Sequence, residues 1–168
     1  PPTDSPGRGR GGRRRGARAA DRVWGDASFF SMGTNDLTQY TLAVDRGNAN
    51  RAPSVTPLHP AVLRLIRRTV EVGDANAIEV TVCGEMASQP LTAFALIGLG
   101  VRSMSVSPRS VTLLKRLVRG TTATVAAQCA PKAMEARTAA ASEAIMLSAF
   151  TETFGEVAEL LDGLPHVM

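Results

Sequence analysis

Three short stretches of this 168-residue chain place reactive or hydrogen-bonding side chains directly after apolar runs. Phe29-Phe30 leads into Gly33-Thr34-Asn35-Asp36, and Ala77 to Val82 leads into Cys83-Gly84-Glu85. The third is Arg102 to Ser107, which carries Ser105 and Ser107. A strand that ends in polar residues and turns at once into a helix presents chemistry at its carboxyl end. In a parallel sheet such ends point the same way, so Asn35/Asp36, Cys83/Glu85 and Ser105/Ser107 are expected at one rim.

Each candidate carries two readings. Asp36 suits a hard cation such as Mg²⁺, which takes one or two carboxylates plus substrate phosphates. It equally suits the positive end of a helix dipole. Cys83, where a strand meets a glycine turn, is partly exposed at that rim and able to do proton chemistry, yet most cysteines are small buried apolar residues. Arg46, in a loop with Gly47, is either a phosphate clamp or a solvated arginine. Glu85 is a general acid or base, or a partner for its own turn. His59, between Leu58 and Pro60, reads as structural, and His166 lies near the chain's end.

The elements that position these residues follow from the apolar pattern. Residues 27–33 read as a buried strand and 36–44 as a short helix. A polar loop then runs from Asp45, broken by Gly47, Pro53 and Pro57. Pro60 suits the first turn of a helix whose stripe is Val62, Leu63, Ile66 and Val70, with Arg64, Arg67 and Arg68 off it. Residues 77–82 form a second strand, and Pro90 opens an apolar helix to about Gly98. Residues 102–107 form a third strand, followed by a helix from Pro108 through Val118. Three strand–helix units in a row imply an α/β fold with a parallel sheet. Three parallel strands cannot bury both faces, which points to part of a larger sheet. Beyond Gly120 the chain is Ala-rich, and Met146, Phe150, Phe154, Val157 and Leu161 make an amphipathic stripe interrupted by Gly155. That stripe reads as a helix packed on the body, with self-association as the alternative.

Composition narrows the class further. The chain is 44% hydrophobic but only 4% aromatic, so a core would be mostly aliphatic. Its formal charge is +4, yet residues 1–22 hold seven arginines against Asp4 and Asp21, so the remainder sums to −1. Basicity therefore belongs to the Arg/Gly-rich leader, read as disordered. An RNA-binding role for it lacks interleaved aromatics for base stacking. The two cysteines, Cys83 and Cys129, have no metal-type spacing and make no disulfide framework, as expected of a reducing cytoplasm. The longest apolar stretch, 91–101, is about half the roughly 20 residues of a membrane-spanning helix. The expectation is a cytoplasmic protein with neither membrane nor nucleic acid as partner. Its parts are a leader at 1–22, an α/β domain at 23–120 and a helical extension at 121–168.

The stretches "FFSMGTNDLTQYTLAVDRGN" (29–48), "PLHPAVLRLI" (57–66) and "VCGEMASQPL" (82–91) together resemble one family, with "IGLGVRSMSVSPRSV" (97–111) continuing it. They are similar to the C-terminal part of phosphoenolpyruvate–protein phosphotransferase, enzyme I of the bacterial sugar phosphotransferase system or its nitrogen-regulatory paralogue. Phosphoenolpyruvate synthases and pyruvate phosphate dikinases share some of the pieces. The resemblance covers 28 to about 119 and implies the last three strand–helix units of a phosphoenolpyruvate-binding (β/α)8 barrel, incomplete here. It also implies roles. Asn35 touches the substrate phosphate, Asp36 binds Mg²⁺, Arg46 grips the phosphoryl group, and Cys83 protonates the enolate carbon as pyruvate forms. The implied protein partner is the phosphocarrier protein, with a homodimer as an alternative association.

Departures from the family pattern set the competing expectation. No stretch matches the family's phosphohistidine motif, and the family's further arginines and second metal carboxylate are not found here. Ser88-Gln89 stands where Gly-Asp or Gly-Arg is common. With two lysines against seventeen arginines, a GC-rich and truncated or frame-altered copy is expected, with little turnover on its own. The alternative function is a non-catalytic module that associates with itself or with a full-length relative.

Overall fold

The computed structural model describes residues 27–44 and 56–155. Among these, the chain is mixed α/β, with a three-stranded parallel sheet and seven helices. The strands are β1 (Phe29–Gly33), β2 (Glu79–Cys83) and β3 (Ser103–Ser105), in spatial order β1-β2-β3. Register pairs Ser31 with Thr81, Gly33 with Cys83, and Cys83 with Ser105. The expected three strands are therefore present, each shorter than its apolar run. Helix α1 (Thr34–Leu42) follows β1 without a linker, two residues earlier than the pattern suggested. Helix α2 (Pro60–Ala75) links β1 to β2, and α3 (Glu85–Ser88) and α4 (Pro90–Gly98) link β2 to β3. Then come α5 (Pro108–Gly120), α6 (Ala123–Glu135) and α7 (Ala139–Phe154). No helix among the described residues is long and apolar enough to cross a membrane.

Alternation along β1 and β2 divides the sheet into two unlike faces. Phe30, Met32, Val80 and Val82 are buried on one face. Ser31, Gly33, Thr81 and Cys83 lie half-buried on the other, preceded there by half-buried Phe29 and exposed Glu79. The α2 stripe of Val62, Leu63, Ile66 and Val70 is fully buried, while Arg64 and Arg68 face outward, as helical spacing requires.

Helix α4 is buried almost all round, since eight of its nine residues are inaccessible. The C-terminal helices explain this. A methyl group added at Gly98 would collide with the carbonyl of Ala126, so α4 and α6 cross nearly backbone to backbone. Phe94 meets the rings of Phe150 and Phe154 edge-on at 5.7 and 5.9 Å, a geometry favoured by aromatic quadrupoles. The Met146–Phe150–Phe154 stripe thus packs on the body, and α7 stops at Gly155. Val157 and Leu161 lie outside the described residues, as do the leader and His166. Arg67 donates to the Leu99 carbonyl at 3.2 Å, and Arg102 donates to the carbonyls of Ile97 and Val101. Two guanidiniums therefore satisfy the carbonyl end of α4, where positive charge is favoured.

His59 is structural, as expected. Its Nδ1 accepts from the Ala61 backbone N–H at 3.1 Å and caps α2 ahead of Pro60. Burial lowers its pKa from the ordinary 6.5, and the positive charge of Arg64 adds to the effect. The unfolded chain therefore binds a proton that the folded chain refuses until lower pH. Stability from this group is complete above about pH 6.5 and is lost as pH falls through the lowered value. His59→Asn keeps a side-chain acceptor at the cap but does not titrate. Its melting temperature should fall less steeply between about pH 7 and about pH 5 than that of the parent chain. Equal slopes in the two melting series would remove His59 from the acid response.

Candidate active site at the strand ends

The carboxyl ends of β1 and β2 are tied by two cross-links. Thr34 Oγ1 donates to the Cys83 carbonyl at 3.1 Å, and Asn35 Oδ1 accepts from the Glu85 backbone N–H at 3.2 Å. Both pass over Gly84, whose φ of +111° is one that side-chain-bearing residues rarely adopt. A Cβ there would come within 2.8 Å of Thr34 Oγ1 and 3.1 Å of Asn35 Oδ1. The glycine is thus required by conformation and by contact at once.

This arrangement brings together Asn35, Asp36, Cys83 and Glu85, as the strand order implied. Asn35 is half-buried, and Asp36 is exposed on the first turn of α1. Glu85 is exposed at the start of α3, and Ser105 ends β3 beside Cys83 in register. Ser107 sits further on, where its hydroxyl pairs with that of Ser110 at 2.9 Å. Cys83 is half-buried, and its thiol donates to the Met32 carbonyl at 3.5 Å. Arg46 lies outside the described residues. Asn35 Oδ1 is engaged by the Glu85 backbone, and the donor atom of the same amide is Nδ2. Glu85 contributes its backbone N–H to the bond with Asn35, which leaves both readings of its side chain open.

Three residues at this site carried weaker sequence signals. In the sequence Thr34 is one residue of a polar turn, although a hydroxyl beside a strand end is a standard local hydrogen-bonding group. Gly84 was visible as a turn glycine, but its contact with Asn35 depends on strand pairing. Ser31 stands two residues before Gly33, so strand alternation puts it on the Cys83 face.

Residues 15–123 match the family model described as PEP-utilising enzyme, PEP-binding domain. The match begins ahead of residue 28 and takes in part of the Arg/Gly-rich stretch. The chain is 43% identical over 123 residues to the multiphosphoryl transfer protein of Xanthomonas campestris pv. campestris, covering 73% of this chain and 15% of that protein. It is 46% identical over 91 residues to the phosphoenolpyruvate-protein phosphotransferase of Borreliella burgdorferi, covering 54% and 16%. A 44% identity over 90 residues relates it to the phosphoenolpyruvate synthase of Pyrococcus furiosus, covering 54% and 11%. It spans less than a fifth of each of these relatives. The chain belongs to the PEP-utilising enzyme family, within its phosphoenolpyruvate-binding domain. The resemblance to phosphoenolpyruvate–protein phosphotransferases read from residues 29–48, 57–66 and 82–91 is borne out.

Gly84→Ala should destabilise the chain by roughly 1–3 kcal/mol through backbone strain alone, with crowding of Thr34 and Asn35 adding to it. Thr34→Val should cost about 1 kcal/mol by removing one hydrogen bond. Urea unfolding midpoints read both changes. A Gly84→Ala midpoint equal to the parent's would mean that the turn relaxes without loss.

Proposed function

We propose that this chain is a phosphoenolpyruvate-binding catalytic segment of an enzyme I-like phosphotransferase, with its site at the β1 and β2 ends. The observation that carries this reading is the pairing of Gly33 with Cys83, which puts the Asn35-Asp36 turn beside the Cys83-Gly84-Glu85 turn. In this reading the three strand–helix units are the last three of an eight-stranded barrel. The whole reaction moves a phosphoryl group from phosphoenolpyruvate to a protein histidine, releasing pyruvate.

Each residue then has one task. Asn35 Nδ2 donates to a phosphate oxygen, because its Oδ1 is committed to Glu85. Arg46 pairs with the phosphoryl group. Cys83 delivers its proton to the enolate carbon left behind by phosphoryl loss. Asp36 suits Mg²⁺ by donor chemistry: a hard carboxylate at a rim where substrate phosphate and water complete the shell. The ion supplies neutralisation of the charge that builds on the transferring group. Among the described residues no group of three His, Cys, Asp or Glu side chains gathers for a metal, so Asp36 would share the ion with substrate oxygens and groups elsewhere.

A second reading draws on the sheet itself. The outer edges of β1 and β3 have no strand partner among the described residues, which favours a non-catalytic module completed by another copy or a relative.

A thermal melt separates the two readings. A ligand that binds only the folded state stabilises by about 2.7 kcal/mol at a hundredfold excess over its dissociation constant. The melting temperature should rise with phosphoenolpyruvate and Mg²⁺ together, and little with either alone. Asp36→Asn should remove the dependence on Mg²⁺. No rise in the parent chain, with a sharp dimer in sedimentation, would favour the associating module.

A further inference from the structure

Cys83 has two polar neighbours on the half-buried sheet face. Its thiol donates to the Met32 carbonyl, and Ser31 Oγ lies 4.0 Å from Sγ, within reach of a hydrogen bond to sulfur. Register explains the second contact: Gly33 pairs with Cys83 and Ser31 with Thr81, so Ser31 is the diagonal neighbour of Cys83 on that face. Thr81, one step down β2, is committed elsewhere, since its Oγ1 donates to Ser103 Oγ at 3.0 Å. Ser31 is therefore the hydroxyl on β1 and β2 placed to give its hydrogen to the sulfur.

We propose that Ser31 is a positioning residue for Cys83, holding the sulfur at the rim and receiving the negative charge that forms on it. This rests on the reading of Cys83 as the acid that completes pyruvate. In that step the S–H proton forms a C–H bond with the enolate carbon. The enolate π pair supplies the electrons of that bond, the enolate oxygen becomes a carbonyl, and the S–H pair remains on Sγ. Before transfer the thiol hydrogen is held by the Met32 carbonyl. After transfer that carbonyl faces an anion with no hydrogen to share, an unfavourable pairing. The Ser31 hydroxyl then donates to the thiolate, as hydrogen bonds to charged groups are stronger than neutral ones. A hydroxyl here stabilises the sulfur after transfer more than before, which is the condition for helping the step.

Alkylation by iodoacetamide tests this in the full chain without any turnover, because the thiolate is the attacking species. Mass spectrometry of the Cys83 peptide gives its rate, and buried Cys129 reports loosening of the fold in the same sample. Ser31→Ala should slow Cys83 alkylation roughly 3- to 10-fold near neutral pH, and Ser31→Thr should restore most of it. A merely structural role would do the opposite, since a loosened strand exposes the thiol and speeds its reaction. An unchanged or faster Cys83 rate, with Cys129 still slow, overturns the proposal. Should Cys129 react quickly in Ser31→Ala, the isosteric pair Ser31→Thr and Ser31→Val decides by the same criterion. Protection of Cys83 by phosphoenolpyruvate with Mg²⁺ in the parent chain tests the underlying assignment separately. Failure of protection removes Cys83 from the substrate site and leaves the serine–sulfur contact to stand or fall on its own rates.

Discussion

A Cβ is missing at Gly84, and two strand ends meet in the space it leaves. Thr34 and Asn35 reach across from the first turn of α1 to the backbone on either side of that glycine. Without this close approach, α1 and α3 could not both begin at the same level of the sheet. The consequence runs outward in both directions. Toward the solvent, the two turns place an amide, two carboxylates and a thiol at one rim. Toward the interior, they hold the register that puts Phe30, Met32, Val80 and Val82 on a single buried face. A slip of one residue would exchange the two faces of a strand, so register at this crossing decides the site and the core together.

The unlike faces of the sheet carry a second consequence. Parallel sheets are normally covered on both sides, yet here one face bears Ser31, Thr81, Cys83 and Ser103, all half-buried. Apolar packing holds the other side and extends well beyond the sheet, through α4 to α6 and α7. Gly98 and the three phenylalanine rings make that extension continuous with the core. Stability and chemistry are thereby separated. Large apolar side chains sit behind the strands; in front, Phe29 and Glu79 at the amino ends give way to small hydroxyl and thiol groups toward the carboxyl ends.

How far the sequence reveals this arrangement depends on the range of each interaction. Pro60 and Pro90 mark the starts of α2 and α4, and apolar spacing marks their buried sides, but the stripe of α2 stops at Val70 while the helix runs on to Ala75. All three strands are shorter than the runs that signal them, and β2 ends one residue beyond its run, since an apolar run does not show where pairing starts or stops. Helix α6 was foreseen only as part of an Ala-rich helical region, because alanine spacing carries little apolar contrast and Pro131 lies inside it. That Asn35, Asp36 and Cys83 lie at strand ends follows from residue type and the apolar runs before them, and the strand pairing bears out that placement. The Asn35–Glu85 and Ser31–Cys83 contacts were not. They join residues 50 and 52 positions apart, and only strand pairing brings such residues into touch.

The electrostatics of the rim show what this site has to draw on for phosphoryl chemistry. Asp36 and Glu85 both stand exposed at the starts of helices, where the dipole offsets part of their charge. On the proposed reading, a phosphoenolpyruvate molecule adds further negative charge at the same place. Such a ligand binds only if positive charge arrives with it or waits for it. On the reading proposed here, Mg²⁺ at Asp36 and the guanidinium of Arg46 bring that charge, and the Asn35 amide adds a fixed dipole. Cys83 suits this setting because its thiol is neutral until the proton has gone. On that reading, an acid that is still a thiol adds no repulsion while substrate enters. Its negative charge appears only after the phosphoryl group has departed and the enolate has lost its own, so the rim carries no more anionic charge after protonation than before.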